Sequence, residues 1–313
     1  MEQVMLQTQW GWPIALYLFL GGLGAGTLLV SALIDFKFKA LAKTVRLGAW
    51  AGVVCLGVGT LLLLVDVTMP TRALMLWQSF SNLGSWMAIG AWLLSVGMVV
   101  GAIWALACTV KALDKARKPL GFVVMVLGVC IAAYTGILLS VLAAHPLWNT
   151  PLLPVLFLVS AVDTGVALVV IISALVDKAD PAREAVSAVL EKATLVLVAA
   201  EVVVLIALLA LVGMGSETGA ASVGILTTGA LALPFWVLFV IVGLAVPAAV
   251  AFKAVKGAKK APAAPAAPAE GEEAAAEAPA KAAPLGLIGA VCCLVGGCAL
   301  RFLILMAGIP VWM

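Results

Sequence analysis

The sequence is short of most residues that soluble enzymes use for chemistry. It has one histidine, His145, and only 11% of its 313 residues are charged. A haem b held between two facing imidazoles needs a second histidine, so an intrinsic bis-histidine haem is excluded, and a methionine-ligated haem stays open only in principle. The six cysteines (Cys55, Cys108, Cys130, Cys292, Cys293 and Cys298) all fall inside apolar runs. None forms the closely spaced loop cluster that an iron–sulfur centre or structural zinc requires, so they read as small buried hydrophobes and no metal site is expected. The strand alternation of a membrane barrel, in stretches of about ten residues, is also missing. No basic region precedes the first apolar run, and a cleavable signal peptide is not expected. The glycines at 21, 22, 24 and 26 follow no strand, which rules out a phosphate-cradling dinucleotide loop.

What is present is apolar residues in long runs. The protein is 65% hydrophobic with a mean hydropathy of +1.23, more than a soluble fold of this size can hide. Runs long enough to cross roughly 30 Å of hydrocarbon read as membrane helices. Eight are expected: Ile14 to Ile34, Leu47 to Val65, Gly84 to Val110, Leu120 to Leu142, Leu153 to Val176, Thr194 to Gly213, Leu231 to Lys253 and Leu285 to Ala307. The fold class is therefore an all-α polytopic membrane protein. Spans one and five end alike, in Ser31-Ala32-Leu33-Ile34-Asp35 and Ser173-Ala174-Leu175-Val176-Asp177, a faint sign of two four-helix halves repeated in parallel. The division expected is 1–152 and 153–313. The second half includes an Ala/Pro/Glu-rich linker, 256–284, that cannot bury a core and would leave the eighth helix loosely placed against the seventh. Small residues spaced by four, Gly22 with Gly26 and Gly97 with Gly101, suit close helix approach.

Positive charge orients the spans. Of all Lys and Arg, only Arg72 and Arg301 lie outside the loops joining spans one to two, three to four, five to six and seven to eight. By the positive-inside rule those loops face the cytoplasm, and both termini and the loops near Arg72, His145 and Glu217 face outward. The charged segment Asp177–Lys192 reads as a short helix on the cytoplasmic surface with a solvated face.

Polar groups at membrane depth are costly and mark candidate sites. The stretch from Tyr134 to Gly165 carries Tyr134, His145 and Asp163 around one corner. Thr135 and Gly136 beside Tyr134 offer a second hydroxyl and a gap in the wall. Tyr17 sits about one turn inside the interfacial Trp10 and Trp12, as either an anchor or a ligand donor. Asp66 and Arg72 could pair across the turn that Pro70 enforces, as a clamp between spans two and three. Asp163 and Glu201 are candidates for a proton relay or for a structural hydrogen bond between helices at similar depth. Arg301 needs an acid, a carbonyl or the water boundary; it either pairs with Asp163 or snorkels outward.

Taken together, Trp10-Gly11-Trp12-Pro13 followed by YLFLGGLGAG, Asp66-x3-Pro70-x-Arg72 with Ser81 and Trp86, Tyr134-Thr135-Gly136-Ile137-Leu138-Leu139 and Pro146-x-Trp148 resemble the NrfD-like family. Leu156-Phe157-x2-Ser160-Ala161, Glu201, Gly243-x3-Pro247 and Arg301 continue the likeness over nearly the whole sequence. This family comprises membrane subunits of polysulphide reductase and its relatives. The resemblance implies two four-helix bundles with no redox centre of their own, and a quinone site near the periplasmic face for menaquinone or ubiquinone. It also implies a docked periplasmic, ferredoxin-like iron–sulfur subunit and a further catalytic subunit, often a molybdopterin enzyme, in a bacterial inner membrane. No nucleic acid partner is expected. By the likeness Tyr134 matches the quinone-contacting tyrosine, while Tyr17 stands where some relatives carry histidine. His145 joins them as a proton acceptor or donor, and Asp66 and Arg72 as further binding candidates. Asp163, Glu201 and Arg301 form the proton-transfer set. A secondary transporter, an ion-translocating module using Asp163 and Glu201, and a passive anchor remain the rival readings.

Overall fold

The computed structural model describes residues 10–38, 41–66, 84–177, 180, 182–260 and 278–311. Among these the regular structure is entirely helical, and eight helices are long and apolar enough to cross a membrane. The protein is a multi-pass integral membrane protein. Its first five helices are α1 (Trp12–Lys37), α2 (Ala42–Asp66), α3 (Trp86–Ala107), α4 (Asp114–Ser140, entered through a 3₁₀ turn at Lys111–Leu113) and α5 (Leu152–Val176). Then come α6 (Ala182–Gly215), the short α7 (Glu217–Thr227), α8 and α9 (Ala278–Met306). α8 begins as one α turn, Ala232–Pro234, runs as a π-helix over Phe235–Ala245, and returns to α over Val246–Lys260.

α1 is the axis of the molecule. Of its most apolar window 78% is buried inside the protein, against 28–56% for the other seven spans. Glycine makes this possible, because in lipid tight packing replaces the hydrophobic effect as the force between helices. A Cβ on Gly24 would meet the Gly52 carbonyl of α2 at 2.7 Å, and one on Gly26 would meet the Ala161 carbonyl of α5 at 1.9 Å. Gly165 of α5 returns the contact against Gly26, and Gly128 of α4 lies against the Ala25 carbonyl. One glycine-rich stretch thus seats three neighbours at backbone distance.

The lysine-rich end is tied by specific bonds. Asp177, buried where α5 ends, accepts from the Thr44 backbone N–H at 2.8 Å and the Thr44 hydroxyl at 2.7 Å, capping the start of α2. Asp35 at the end of α1 pairs bidentately with Arg117 of α4. Asp177 is therefore part of a cap and not of a solvated face.

Several expectations need correcting. The charged segment before span six is no separate surface helix: α6 runs unbroken for 34 residues, about 51 Å, so its first turns project beyond a hydrocarbon layer of about 30 Å. Ala, Glu, Arg and Lys there are good helix formers and simply extend the span. At both ends of the expected linker, 256–284, the described residues are helical, α8 reaching Lys260 and α9 starting at Ala278; residues 261–277 lie outside the described residues. α9 is not loosely placed either. Gly296 presses on Gly243 of the π segment so closely that a Cβ on either would lie 2.1–2.5 Å from the other's Cα.

Candidate functional site

Tyr134-Thr135-Gly136 lies within about 9 Å of the C-terminal end of α4, and its three residues face three different helices. Tyr134 points to α3, where its ring fills the space left by the missing side chain of Gly90. A Cβ at Gly90 would fall 1.8 Å from the phenol oxygen. Thr135 turns to α1, its methyl against Gly21, beside the Tyr17 ring. Gly136 faces α5, with the Pro154 backbone at 2.4 Å from an added Cβ. The expected gap in the wall at Gly136 is thus closed by the α5 backbone. The Thr135 hydroxyl donates to its own Ala132 carbonyl at 2.7 Å, so it is already engaged.

Tyr17 enters this corner from α1, 1% exposed, its ring meeting the methyl of Thr135, the residue next to Tyr134, over Gly21. Both sit toward the end of the bundle that carries His145. α2 also ends there, at Asp66; the Asp66 side chain and Arg72 lie outside the described residues, and so does the clamp expected between them.

His145 is a clasp. Its ring stacks on Trp148 at 4.0 Å and 23°, and Nδ1 lies 3.1 Å from the Gly308 carbonyl just after α9. Trp148 donates from Nε1 to the Ile304 carbonyl at 2.7 Å and leans on Trp10, 5.6 Å between ring centroids. The Val311 N–H adds a bond to the Ala144 carbonyl at 2.8 Å. Burial lowers the His145 pKa, with the Gly308 carbonyl opposing, so the ring is neutral at pH 7 and Nδ1–H donates. Its contacts are with Trp148 and Gly308, and neither tyrosine is among them.

A second polar group lies deeper, on the other side of α1. Arg301, fully buried, does not snorkel and does not pair directly with Asp163. Its Nη1 donates to the Ser160 hydroxyl and to the Gly297 carbonyl at 3.0 Å, Nη2 donates to the Phe157 carbonyl at 3.3 Å, and the guanidinium lies over the Phe157 ring. Glu201 lies near Ser160 and Arg301, and Asp163 accepts from the Cys293 thiol at 3.1 Å. The structure therefore brings Asp163, Glu201 and Arg301 together and holds them apart from the tyrosines. Sequence reasoning left out Ser160, Cys293 and Gly90 as site residues. Ser160 and Cys293 each lie one helical face from a charged neighbour, at i−3 to Asp163 and eight residues from Arg301, and that spacing was the available signal.

The family model described as "Polysulphide reductase, NrfD" matches residues 2–261. The chain belongs to the NrfD family. A polysulfide reductase chain of Wolinella succinogenes is 32% identical over 261 residues, covering 76% of this sequence and 81% of that protein. Protein NrfD of Escherichia coli is 32% identical over 199 residues, 55% of this sequence and 62% of its own length. A selenate reductase subunit of Mesobacillus selenatarsenatis is 26% identical over 207 residues, 54% of this sequence and 48% of that protein. The NrfD match spans both the tyrosine corner and most of the charged group, but stops before α9, which supplies Arg301 and Cys293.

Proposed function

We propose that this NrfD-family protein binds menaquinol or ubiquinol at the Tyr17–Tyr134 corner and serves as the quinone-interacting subunit of a respiratory reductase. The observation that carries this reading is the juxtaposition of two buried phenols where α1, α3 and α4 meet near one end of the bundle. A quinone offers two carbonyl oxygens on a flat apolar ring, and phenols supply donors to such oxygens from apolar walls. The donor set therefore fits the group. Membership in a family whose relatives bear reductase-subunit names supports the same assignment.

A quinol supplies two electrons and two protons when it is oxidised. The protein's part is to bind and orient the ring: Tyr134, held by Gly90, and Tyr17, held beside Thr135 and Gly21, accept or donate hydrogen bonds at the ring oxygens. Their fixed rings keep that geometry without reorganisation. The electrons pass to a periplasmic iron–sulfur subunit docked at this end, and from there to a catalytic subunit; the lysine-rich end faces the cytoplasm across the bacterial inner membrane.

The test is Tyr134→Phe in the intact complex. Loss of a hydrogen bond of about 1.5 kcal/mol lowers quinol-dependent reduction by about tenfold or more, while reduction by a soluble donor that bypasses the membrane subunit is unchanged. Wild-type quinol activity in that variant contradicts the assignment.

A further inference from the structure

Where α5, α6 and α9 meet, the charges do not balance. Asp163 is 2% exposed, Glu201 3% and Arg301 fully buried. The titratable groups facing this point from the packed elements are Asp163 of α5, Glu201 of α6, and Cys293, Cys298 and Arg301 of α9. Among the described residues α1 brings apolar groups here: Gly22 lies against Arg301 Nη2, and the Phe19 ring packs on Gly297 with the methyl of Thr164. The cluster thus holds one guanidinium and two carboxyls. With all three ionised, the site holds one uncompensated negative charge in an apolar interior, a state that buried ions avoid by binding a proton or a partner.

The hydrogen bonds point to the same imbalance. Arg301 donates to Ser160, whose own hydroxyl proton stays available to a neighbouring acceptor, and Glu201 lies close to both. Asp163 has less. Among the described residues its Oδ2 accepts from a thiol, a weak donor, its Oδ1 is buried with no hydrogen-bond partner, and Arg301 Nε is likewise unpartnered. An ionised carboxylate with one bare oxygen and one thiol donor is poorly solvated, whereas a carboxylic acid tolerates that setting.

We propose that Asp163 and Glu201 together bind one exchangeable proton, whose charge offsets the acid that Arg301 leaves uncompensated. Uptake forms one carboxyl O–H bond and takes the cluster from net negative to neutral; release reverses both, and no redox partner is involved. The proton belongs to the pair, because protonating either acid lets the other ionise against Arg301. The site is separate from the tyrosine corner. Gly21 of α1 faces Tyr17 and Thr135, while the adjacent Gly22, about 100° further round the helix, faces Arg301, so the two groups lie on different faces of α1. It does not depend on the quinone assignment.

The test is infrared difference spectroscopy on the purified full-length protein with its co-purifying subunits, at neutral pH, where exposed carboxylates are ionised. Wild type minus Asp163→Asn and wild type minus Glu201→Gln should each show the loss of the same single protonated-carboxyl C=O band, which shifts in D2O. Both variants lose it because the one remaining acid ionises against Arg301. Arg301→Lys keeps the band at wild-type intensity, and Arg301→Met, where it folds, doubles it. The proposal is overturned by a band that survives in either single variant, by its absence from wild type, or by a wild-type band that disappears when sodium replaces choline, which would make the site a metal-cation site. Each variant is first checked for a single symmetric peak in detergent, and the two isosteric carboxyl variants decide the matter even if Arg301→Met does not fold.

Discussion

Gly90→Ala tests the tyrosine corner without touching a tyrosine. The added methyl would lie 1.8 Å from both the phenol oxygen and the carbon that bears it, and 2.3 Å from the next ring carbon. Ordinary contact between such atoms needs about 3.5 Å, so the Tyr134 ring must retreat by about 1.5 Å or swing to another rotamer. The cost of forcing one methyl into a packed contact is about 1–3 kcal/mol, which a multi-span protein survives. The cost to function is larger, because a misplacement of about 1 Å in a group that orients a reactant can lower the rate by about a hundredfold. Quinol-dependent turnover of the complex should therefore fall by about that factor, with bypass activity from a soluble donor preserved. Gly57→Ala is the control. It lies in α2 with nothing within 4 Å of its added methyl, so turnover should stay at the wild-type level. If Gly90→Ala turns over quinol as fast as Gly57→Ala, the position of the Tyr134 phenol does not matter and the reasoning fails.

Other consequences follow from the same contacts. Gly26→Ala places a methyl 1.9 Å from the Ala161 carbonyl, a backbone atom that cannot rotate away, and should abolish recovery of folded protein from the membrane, read by detergent size-exclusion. Trp148→Phe keeps the stack but removes the 2.7 Å bond to Ile304, leaving a buried carbonyl short of a donor; stability should drop by about 1–3 kcal/mol in a thermal melt. His145 contributes a pH slope of known sign. Its folded pKa lies below the unfolded value of about 6.5, so the unfolded protein binds more protons in the window between them. The stability from this ring is full above that window and declines as pH falls through it. His145→Gln should flatten the acid side of the melting profile relative to wild type, and an unchanged profile would sink the clasp assignment.

The eight spans were legible because hydropathy over some twenty residues is a strong signal and the bilayer fixes the length required. Helix ends were less so. α6 looked broken at its charged start, yet Arg183, Glu184, Glu191 and Lys192 sit on a helix that merely leaves the hydrocarbon. α7 went unread although Ser216 caps it, accepting from the Gly219 N–H at 3.0 Å, and Glu217 opens its first turn. The π segment of α8 had no marker: Phe235–Ala245 is uniformly apolar, and nothing in such a run selects one helical hydrogen-bond register over another.

The site divides along the same line. Tyr134 and Tyr17 could be picked out because phenols are rare in this sequence and both lie near one end. Their supports, Gly90 and Gly21, could not be, since which glycine a ring rests on depends on helix rotation. By sequence Arg301 needs an acid, a carbonyl or the water boundary, with Asp163 or outward snorkelling as the two outcomes expected. The structure takes the carbonyl option, adding the Ser160 hydroxyl, and which residues present those groups depends on a helix rotation that sequence alone does not give. His145 stands out as the one histidine, and in the structure its ring meets Trp148 and the Gly308 carbonyl.

The most direct measurement is photo-labelling of the intact complex with an azido-quinone analogue, followed by peptide mapping. Labelled peptides are expected from the first turns of α1 around Tyr17 and from the end of α4 around Tyr134, with labelling suppressed by excess native quinone. Labelling confined to other helices, or labelling that native quinone does not displace, contradicts a quinone site between the two tyrosines.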